Sequence, residues 1–288
     1  MINWPNFVSQ LFNGLALGAL LALISSGLTI IYGTLGVLNL AHGAMFMIGG
    51  YAGYVTYSYT GSFILAVIAG SLFVMALGVA MERIIIRHFY HRPHEDQLLV
   101  TFGLGICFVE IVRLIFTSQS QVVPPPAMLQ GITSLGFLFY PTYRLAVVGI
   151  VAVALGGLFL ILYRTRLGMI VRAGVDDRDI LAATGVRIQL VFVLVFALGA
   201  GLAGIAGVVG GTFQSLSPGE DTRFLLASLV VVIVGGMGSI PGAALGAVII
   251  GLAEQLGSVY IPTYAIVVTF LIMVLVLALR PQGLLARR

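Results

Sequence analysis

The chain has 288 residues, of which 60% are hydrophobic and only 8% are charged, and its mean hydropathy is +1.12. This composition excludes an ordinary soluble enzyme, because apolar runs of membrane-spanning length recur along the whole chain. The net charge of +4 comes from arginines clustered between those runs, which argues against a nucleic-acid surface and indicates membrane topology.

Eight hydrophobic segments are predicted to be helical, since only helices and closed barrels satisfy the backbone inside lipid, and no barrel-like alternation is present. The fold class is therefore an all-α polytopic integral membrane protein. The first ten residues, MINWPNFVSQ, lack the features of a removed signal peptide, so the first span is expected to be kept. The segments cover residues 8–31, 36–59, 63–81, 98–116, 144–163, 189–212, 225–252 and 264–280.

Arginine placement predicts which connections face the cytoplasm. Loops 82–96 and 164–187 and the tail 280–288 hold three, five and three arginines, which is 11 of the 14 in the chain. By the positive-inside rule, both loops and the C-terminal tail are cytoplasmic.

This assignment requires an even number of crossings between Arg187 and Arg280, yet three apolar segments lie between them. One segment must therefore return to the side on which it started. The candidate is 225–252, because its glycines and Pro241 within GGMGSIPG (235–242) would break a continuous helix.

A weak parallel internal repeat relates the two halves of a single domain, 1–288. A shift of 199 residues places Gly36 on Gly235 and Gly43 on Gly242. If this repeat holds, the N-terminus is cytoplasmic; if 8–31 and 36–59 are plain spans, the N-terminus is outside. The predicted organisation is a first repeat unit at 8–81, linking spans at 98–163, a cytoplasmic loop at 164–187 and a second repeat unit at 189–280.

Two broken, glycine-rich segments in corresponding halves indicate a solute path, because the ends of half-helices expose backbone groups that must face a cavity or protein. The alternative is that the glycines only allow close packing and that His42 caps a neighbouring carbonyl. The predicted path residues are Asn39, His42, Gly43, Gly238, Ser239 and Pro241.

Loop 164–187 contains RAGVDDRDILAATGVRI (172–188), a stretch of unusual polarity for this chain. Residues 175–184 are predicted to form a two-turn helix with Asp176 and Asp177 at its N-terminal end and Gly185 as its stop. A helix this short needs a surface to dock against, which suggests a cytoplasmic partner. The alternative is an ordinary solvated run of charges. The candidate docking residues are Arg172, Asp176, Asp177, Ile180, Leu181 and Gly185.

Other motifs favour packing over chemistry. Gly14 and Gly18, four residues apart, predict close helix packing, as do Gly207 and Gly211. Glu110 and the arginine at 113 lie on one helix face and can pair. The chain contains no metal-ligand spacing, serine-hydrolase motif or phosphate-binding loop, so we expect neither a metal site, nor a cofactor of its own, nor an ATPase.

Three segments carry a resemblance to the LivH-type permeases of bacterial branched-chain amino acid ABC transporters. This resemblance implies an inner-membrane permease that works with a LivM-like sister permease, two cytoplasmic ATPase subunits that use ATP, and a periplasmic solute-binding protein. It also identifies the region from Arg172 to Gly185 as the loop that couples to the ATPases. The segments are GLTIIYGTLGVLNLAHGAMFMIGGY (27–51), RLGMIVRAGVDDRDILAATGV (166–186) and VVIVGGMGSIPGAALGAVIIGLAEQL (231–256).

The solute stays open at this point. Many members of the resembled family have Glu after AHG, whereas this chain has Ala44, and the wider family also imports urea, short amides and organic acids. The alternative function is a secondary transporter or channel, with a membrane-embedded enzyme as a third possibility. A secondary transporter normally needs intramembrane titratable or ion-coordinating residues, but Glu110 and Glu254 are the only acids within or at the ends of the spans beyond residue 98.

Overall fold

The computed structural model describes residues 4–117, 119–134, 136, 138–176 and 185–285, and ten α-helices lie within these residues. Seven of the described helical segments are long and apolar enough to cross a membrane, namely α1, α3, α4, α5, α7, α9 and the segment Pro262–Leu279, which consists of a short turn and α10. In chain order the helices are α1 (Trp4–Leu35), α2 (His42–Thr60), α3 (Phe63–Ile84), α4 (His94–Phe116), α5 (Thr142–Arg164), α6 (Arg166–Asp176), α7 (Ile188–Phe213), α8 (Glu220–Gly235), α9 (Ile240–Tyr260) and α10 (Ala265–Leu279).

Helices α1 and α7 form the centre of the bundle. Their most apolar stretches are 89% and 83% buried, against 6% for the stretch that contains α10. A helix that is apolar all round and buried by protein belongs at the core of a membrane bundle, whereas an apolar exposed helix faces lipid. The remaining spans surround the α1–α7 pair.

Glycines set the directions of the central helices because backbones touch where side chains are absent. Gly14 packs against Leu252 and Gly18 against Ala247, so α1 and α9 run antiparallel. The predicted packing role of the Gly14 and Gly18 pair is confirmed. Helices α1 and α7 are also antiparallel, since Gly27 of α1 meets Gly199 and the Leu20 side chain reaches the region of Gly210.

The apolar segment 225–252 is two helices, α8 and α9, as the crossing count requires. Gly235 packs against Gly242, and Gly246 packs against Val231, so the two helices form an antiparallel hairpin. The chain therefore makes four passes between Arg187 and Arg280, which is an even number. Helix α8 has 16 residues and is about 24 Å long, shorter than a full span.

The first half contains a similar break. Helix α1 ends at Leu35 and α2 begins at His42. Shifted by 199 residues, α2 (42–60) falls on 241–259, beside the observed α9 at 240–260. Helices α1 and α8 both run antiparallel to α9. The helix that precedes the break therefore runs in the same direction in both repeat units.

The described parts of the three arginine-rich segments lie at one end of the bundle. Arg83 and Arg87 line a common groove with Arg187, which joins the first loop to the second. The tail reaches the same end, because the Leu284 N–H donates to the Val234 carbonyl at 2.9 Å. We call this end the arginine end.

The start of α1 lies at the opposite end. The Gln255 side chain near the end of α9 donates to Gln10 at 2.8 Å, and Tyr140 donates to Asn13 at 2.7 Å. Helix α1 thus crosses the bundle completely, and Trp4 lies opposite the arginine end. Of the two alternatives for the N-terminus, the structure agrees with the one in which 8–31 and 36–59 are separate passes.

A two-stranded hairpin interrupts the otherwise all-α fold. Strands β1 (Ile132–Ser134) and β2 (Phe139–Pro141) pair antiparallel, with Thr133 opposite Tyr140. Burial raises the pKa of the Tyr140 phenol, so it stays protonated and donates to Asn13. The hairpin, which the sequence pattern does not predict, ties the loop before α5 to the start of α1.

Single-cysteine labelling tests the orientation. In a Cys107→Ala background, a membrane-impermeant maleimide should label Met128→Cys, which is 92% exposed at the outer end, in intact cells. His91→Cys and Ala286→Cys should react only after the membrane is opened, because both lie in arginine-rich segments. Labelling of the latter two in intact cells would contradict the cytoplasmic assignment.

Candidate functional site

The turn between α8 and α9 is built by two glycines and a cap. Gly236 and Gly238 have φ values of 105° and 85°, a region that favours glycine. The Ser239 hydroxyl accepts a hydrogen bond from the Gly242 N–H at 3.1 Å and caps α9. Pro241 lies in the first turn, where its missing N–H costs little. The sequence GMGSIP therefore ends one helix and starts the next.

A cavity of about 180 Å³ lies between this turn, the second half of α1, the end of α5 and α6. We call it the turn cavity. Three predicted path residues, Gly238, Ser239 and Pro241, line it. Arg172, which was predicted as a docking residue, lines it as well. The structure thus brings together residues that sequence reasoning placed in two separate groups.

The polar groups of the turn cavity are hydroxyls and one guanidinium. Thr29 and Thr34 of α1 line it, and both hydroxyls are buried without a hydrogen-bond partner among the described residues. The Arg172 guanidinium lies over the Tyr163 ring, 4.7 Å from the ring centroid. Sequence reasoning missed both threonines; the only available signal was a hydroxyl within an apolar span.

Asn39 and His42 lie elsewhere and serve the first break. The Asn39 side-chain oxygen accepts from the Ala41 N–H at 3.1 Å, and both Asn39 and His42 are fully buried. The His42 Nε2 atom lies 3.1 Å from the Ile24 carbonyl oxygen and donates to it. This geometry supports the interpretation that His42 caps a carbonyl. Helix α2 therefore begins beside Ile24, about 16 Å along the α1 axis from the end of α1 at Leu35.

Gly43 holds α2 against α8. A Cβ atom at this position would overlap the Asp221 carbonyl oxygen and lie 2.8 Å from the Leu225 Cβ. A second cleft, of about 340 Å³, opens beside this contact towards α4. Its rim carries the predicted ion pair, in which the charged groups of Glu110 and Arg113 are 2.7 Å apart.

The predicted docking helix falls largely outside the described residues. Asp177, Ile180 and Leu181 lie there, so their positions are not described. Asp176 is the last described residue of α6, and the rest of the predicted docking helix, 177–184, lies outside the described residues. Gly185 has a φ of 81°, as a residue that follows a helix often has.

A groove of about 560 Å³ at the arginine end is a further feature that the sequence did not indicate. It lies between the end of α3 and the start of α7, and Val186 and Arg187, at the end of loop 164–187, line it. Arg83, Arg87 and Arg187 line it together with Glu82. Its charged side chains are therefore mainly basic, and apolar side chains such as Val186 and Leu190 line the rest.

Among the described residues, no three His, Cys, Asp or Glu side chains are grouped closely enough to hold a metal ion. The turn cavity and the second cleft are instead lined by apolar side chains with a few polar groups. This composition is typical of sites for small organic molecules. Binding and passage of a small solute is the chemistry that this arrangement supports.

Residues 10–277 match the family described as branched-chain amino acid transport system / permease component. The chain is 32% identical to the high-affinity branched-chain amino acid transport system permease protein LivH of Escherichia coli (strain K12), over 98% of this chain and 96% of the relative. It is 31% identical to BraD of Pseudomonas aeruginosa, with the same coverage. The similarity extends to LivM of Escherichia coli, at 25% identity over 99% of this chain and 72% of LivM.

Proposed function

Because the chain belongs to the permease component family of branched-chain amino acid transport systems, we propose that it is the membrane-spanning subunit of an ABC importer. Its solutes are branched-chain amino acids or related small polar or organic-acid molecules. The observation that carries this proposal is the match over nearly the full length of both chains, which includes the two helix breaks and the arginine-rich loops.

The importer contains partner subunits. Similarity to both LivH and LivM relatives supports pairing with a sister permease of the LivM type. Two ATPase subunits bind and hydrolyse ATP on the cytoplasmic side, and a periplasmic binding protein delivers the solute. The arginine end faces the cytoplasm of a bacterial cell, since 11 of the 14 arginines lie in its three segments.

The ATPases dock at the arginine end, on loop 164–187 and its candidate residues Arg172, Asp176, Asp177, Ile180, Leu181 and Gly185. This loop adjoins the basic groove and the turn cavity, so movement of α6 changes the wall of that cavity. Such an arrangement links ATP-driven closure of the ATPases to the solute path without a separate relay.

Within the path, Gly238, Ser239 and Pro241 line the turn cavity directly. Asn39, His42 and Gly43 act one step away, since they fix where α2 begins and hold it against α8. The two breaks thus have different roles: the second lines the space for the solute, and the first positions the helices around it.

Reconstitution of the complete complex in proteoliposomes tests this function. Loaded binding protein should raise ATP hydrolysis and drive uptake of its solute, tested with amino acids, amides and organic acids. Omitting the ATPase subunits should abolish uptake. Solute flux that continues at full rate without ATPases would contradict the proposal and favour a channel or secondary transporter.

A further inference from the structure

Two threonines of α1 differ from other threonines in the helices of this protein. Thr56, Thr212 and Thr269 each donate their hydroxyl to the carbonyl four residues earlier, at 2.9 Å, 3.2 Å and 3.3 Å. This bond is the ordinary way to satisfy a threonine inside a helix. Thr29 and Thr34 are 0% and 1% exposed and have no hydrogen-bond partner among the described residues.

Both threonines belong to the lining of the turn cavity, and their hydroxyl oxygens are almost completely enclosed. A buried hydroxyl without a partner is unfavourable, so its persistence calls for a group that binds it at some stage of the working cycle. The cavity has a volume of about 180 Å³, which is the volume that roughly six water molecules occupy in the liquid. This volume is enough for a small organic solute.

Helix ends of opposite polarity meet at this cavity. Helix α1 ends at Leu35 and brings the negative end of its dipole, while α9 begins at Ile240 and brings the positive end. Close approach of Gly33 and Gly238 holds these two ends together. A solute that carries separated positive and negative groups is complementary to such a pair of helix ends.

The charged and apolar side chains that line the cavity restrict the class of solute further. Arg172 contributes a guanidinium, and the described lining of the cavity includes no Asp or Glu. The apolar wall is formed by Ile30, Leu162, Val171 and Ile240. The lining therefore offers donors for an anionic group beside a surface for a hydrocarbon chain.

We propose that the turn cavity is a binding site for an α-amino acid with an apolar side chain. The Thr29 and Thr34 hydroxyls and the Arg172 guanidinium bind the carboxylate. The ammonium group faces the carbonyls at the end of α1, and the side chain packs against the apolar wall. This proposal rests on the proposed function and names its solute class, since a neutral solute such as urea would leave Arg172 without a counter-charge.

The site lies at the arginine end, so an imported amino acid occupies it last, before release to the cytoplasm. Arg172 belongs to α6, which leads into the loop proposed to dock the ATPases. A contact between the solute and α6 couples occupancy of the path to the position of that loop.

Equilibrium binding to the purified, nucleotide-free complex tests the site, with radiolabelled leucine and radiolabelled urea as probes. The double variant Thr29→Val and Thr34→Val keeps the side-chain shape and removes only the two unpartnered hydroxyls. We expect the affinity for leucine to fall by about tenfold or more, because hydrogen bonds to a charged carboxylate are lost. Thr269→Val on α10 is the matched control and should bind leucine as the wild type does.

The thermal midpoint of the same proteins separates binding from folding. Removing an unsatisfied buried hydroxyl should leave the midpoint of the double variant equal or higher. Arg172→Gln should also weaken leucine binding, and Arg172→Lys should restore part of it. Unchanged leucine binding in the double variant would overturn the proposal. A wild-type complex that binds urea, or that binds neither leucine nor urea, would overturn it as well.

The outcomes distinguish this site from the proposed function. A wild type that imports urea with ATP, but not leucine, contradicts the site and leaves the importer function standing. A chain that binds leucine through both threonines, yet never recruits ATPases, contradicts the importer function and leaves the site standing.

Discussion

Replacing Gly207 by alanine is expected to prevent normal packing of the bundle and to give the largest loss of stability among single methyl additions. Gly207 of α7 lies against α2, where an added Cβ would overlap the Phe46 carbonyl oxygen and approach the Gly50 nitrogen to 2.7 Å. Both atoms belong to the backbone, so no side-chain rotation can relieve the overlap. Overpacking of this kind costs about 1–3 kcal/mol or more.

Gly157→Ala on α5 is the matched control, since an added Cβ there meets nothing within 4 Å. Alanine is the better helix former, so this variant should be as stable as the wild type or slightly more stable. The measurement is the thermal midpoint of the purified permease, together with its yield as a monodisperse species. Equal midpoints for the two variants would show that α2 and α7 do not pack as described.

Ile180→Asp is expected to separate the permease from its ATPases. If residues 175–184 dock in a groove of the ATPase, an aspartate at 180 brings a charge into that groove, which typically costs several kcal/mol unless it finds a partner. The variant should reach the membrane and pair with the sister permease. It should co-purify poorly with the ATPases, and loaded binding protein should no longer raise ATP hydrolysis.

Met128→Asp supplies the control for Ile180→Asp, because it introduces the same charge on a residue that is 92% exposed at the opposite end. It should retain normal ATPase binding. Removing the charge of Arg172 should weaken ATPase association by only ~0–1 kcal/mol, in a salt-sensitive way. Normal ATPase binding and coupled hydrolysis in Ile180→Asp would favour the reading of loop 164–187 as a solvated run of charges.

The break between α8 and α9 could be predicted because two independent signals coincide there. Arginine placement demands an even number of passes after Arg187, and the glycines with Pro241 mark the position where a helix can stop. The structure has its turn at 236–239, inside the predicted interval of 235–242. Topology and local backbone chemistry thus specify the same residues.

The first half offered no such second signal. No arginine-rich segment precedes the first span, so the number of passes before loop 82–96 is not constrained by charge. The side of the N-terminus therefore depended on how the repeat was interpreted. The structure resolves this through long-range contacts, such as Gly14 with Leu252, which no local sequence pattern can reveal.

Some residues of the candidate site could likewise be predicted from the sequence, and others could not. Gly238 and Ser239 could be predicted because their residue types fit a helix break. Thr29 and Thr34 could not, because a threonine in an apolar helix normally bonds its own backbone, and only the folded chain shows that these two do not. Sequence also assigned Arg172 to a docking surface alone, whereas its side chain reaches the turn cavity.

The placement of the two described chain ends has an evolutionary consequence. Trp4 and Leu285 lie at opposite ends of the bundle, so the two ends of the described chain emerge on different sides of the membrane. A gene fusion that joined two such permeases tail to head would therefore insert the second upside down, unless the linker itself crossed the bilayer once.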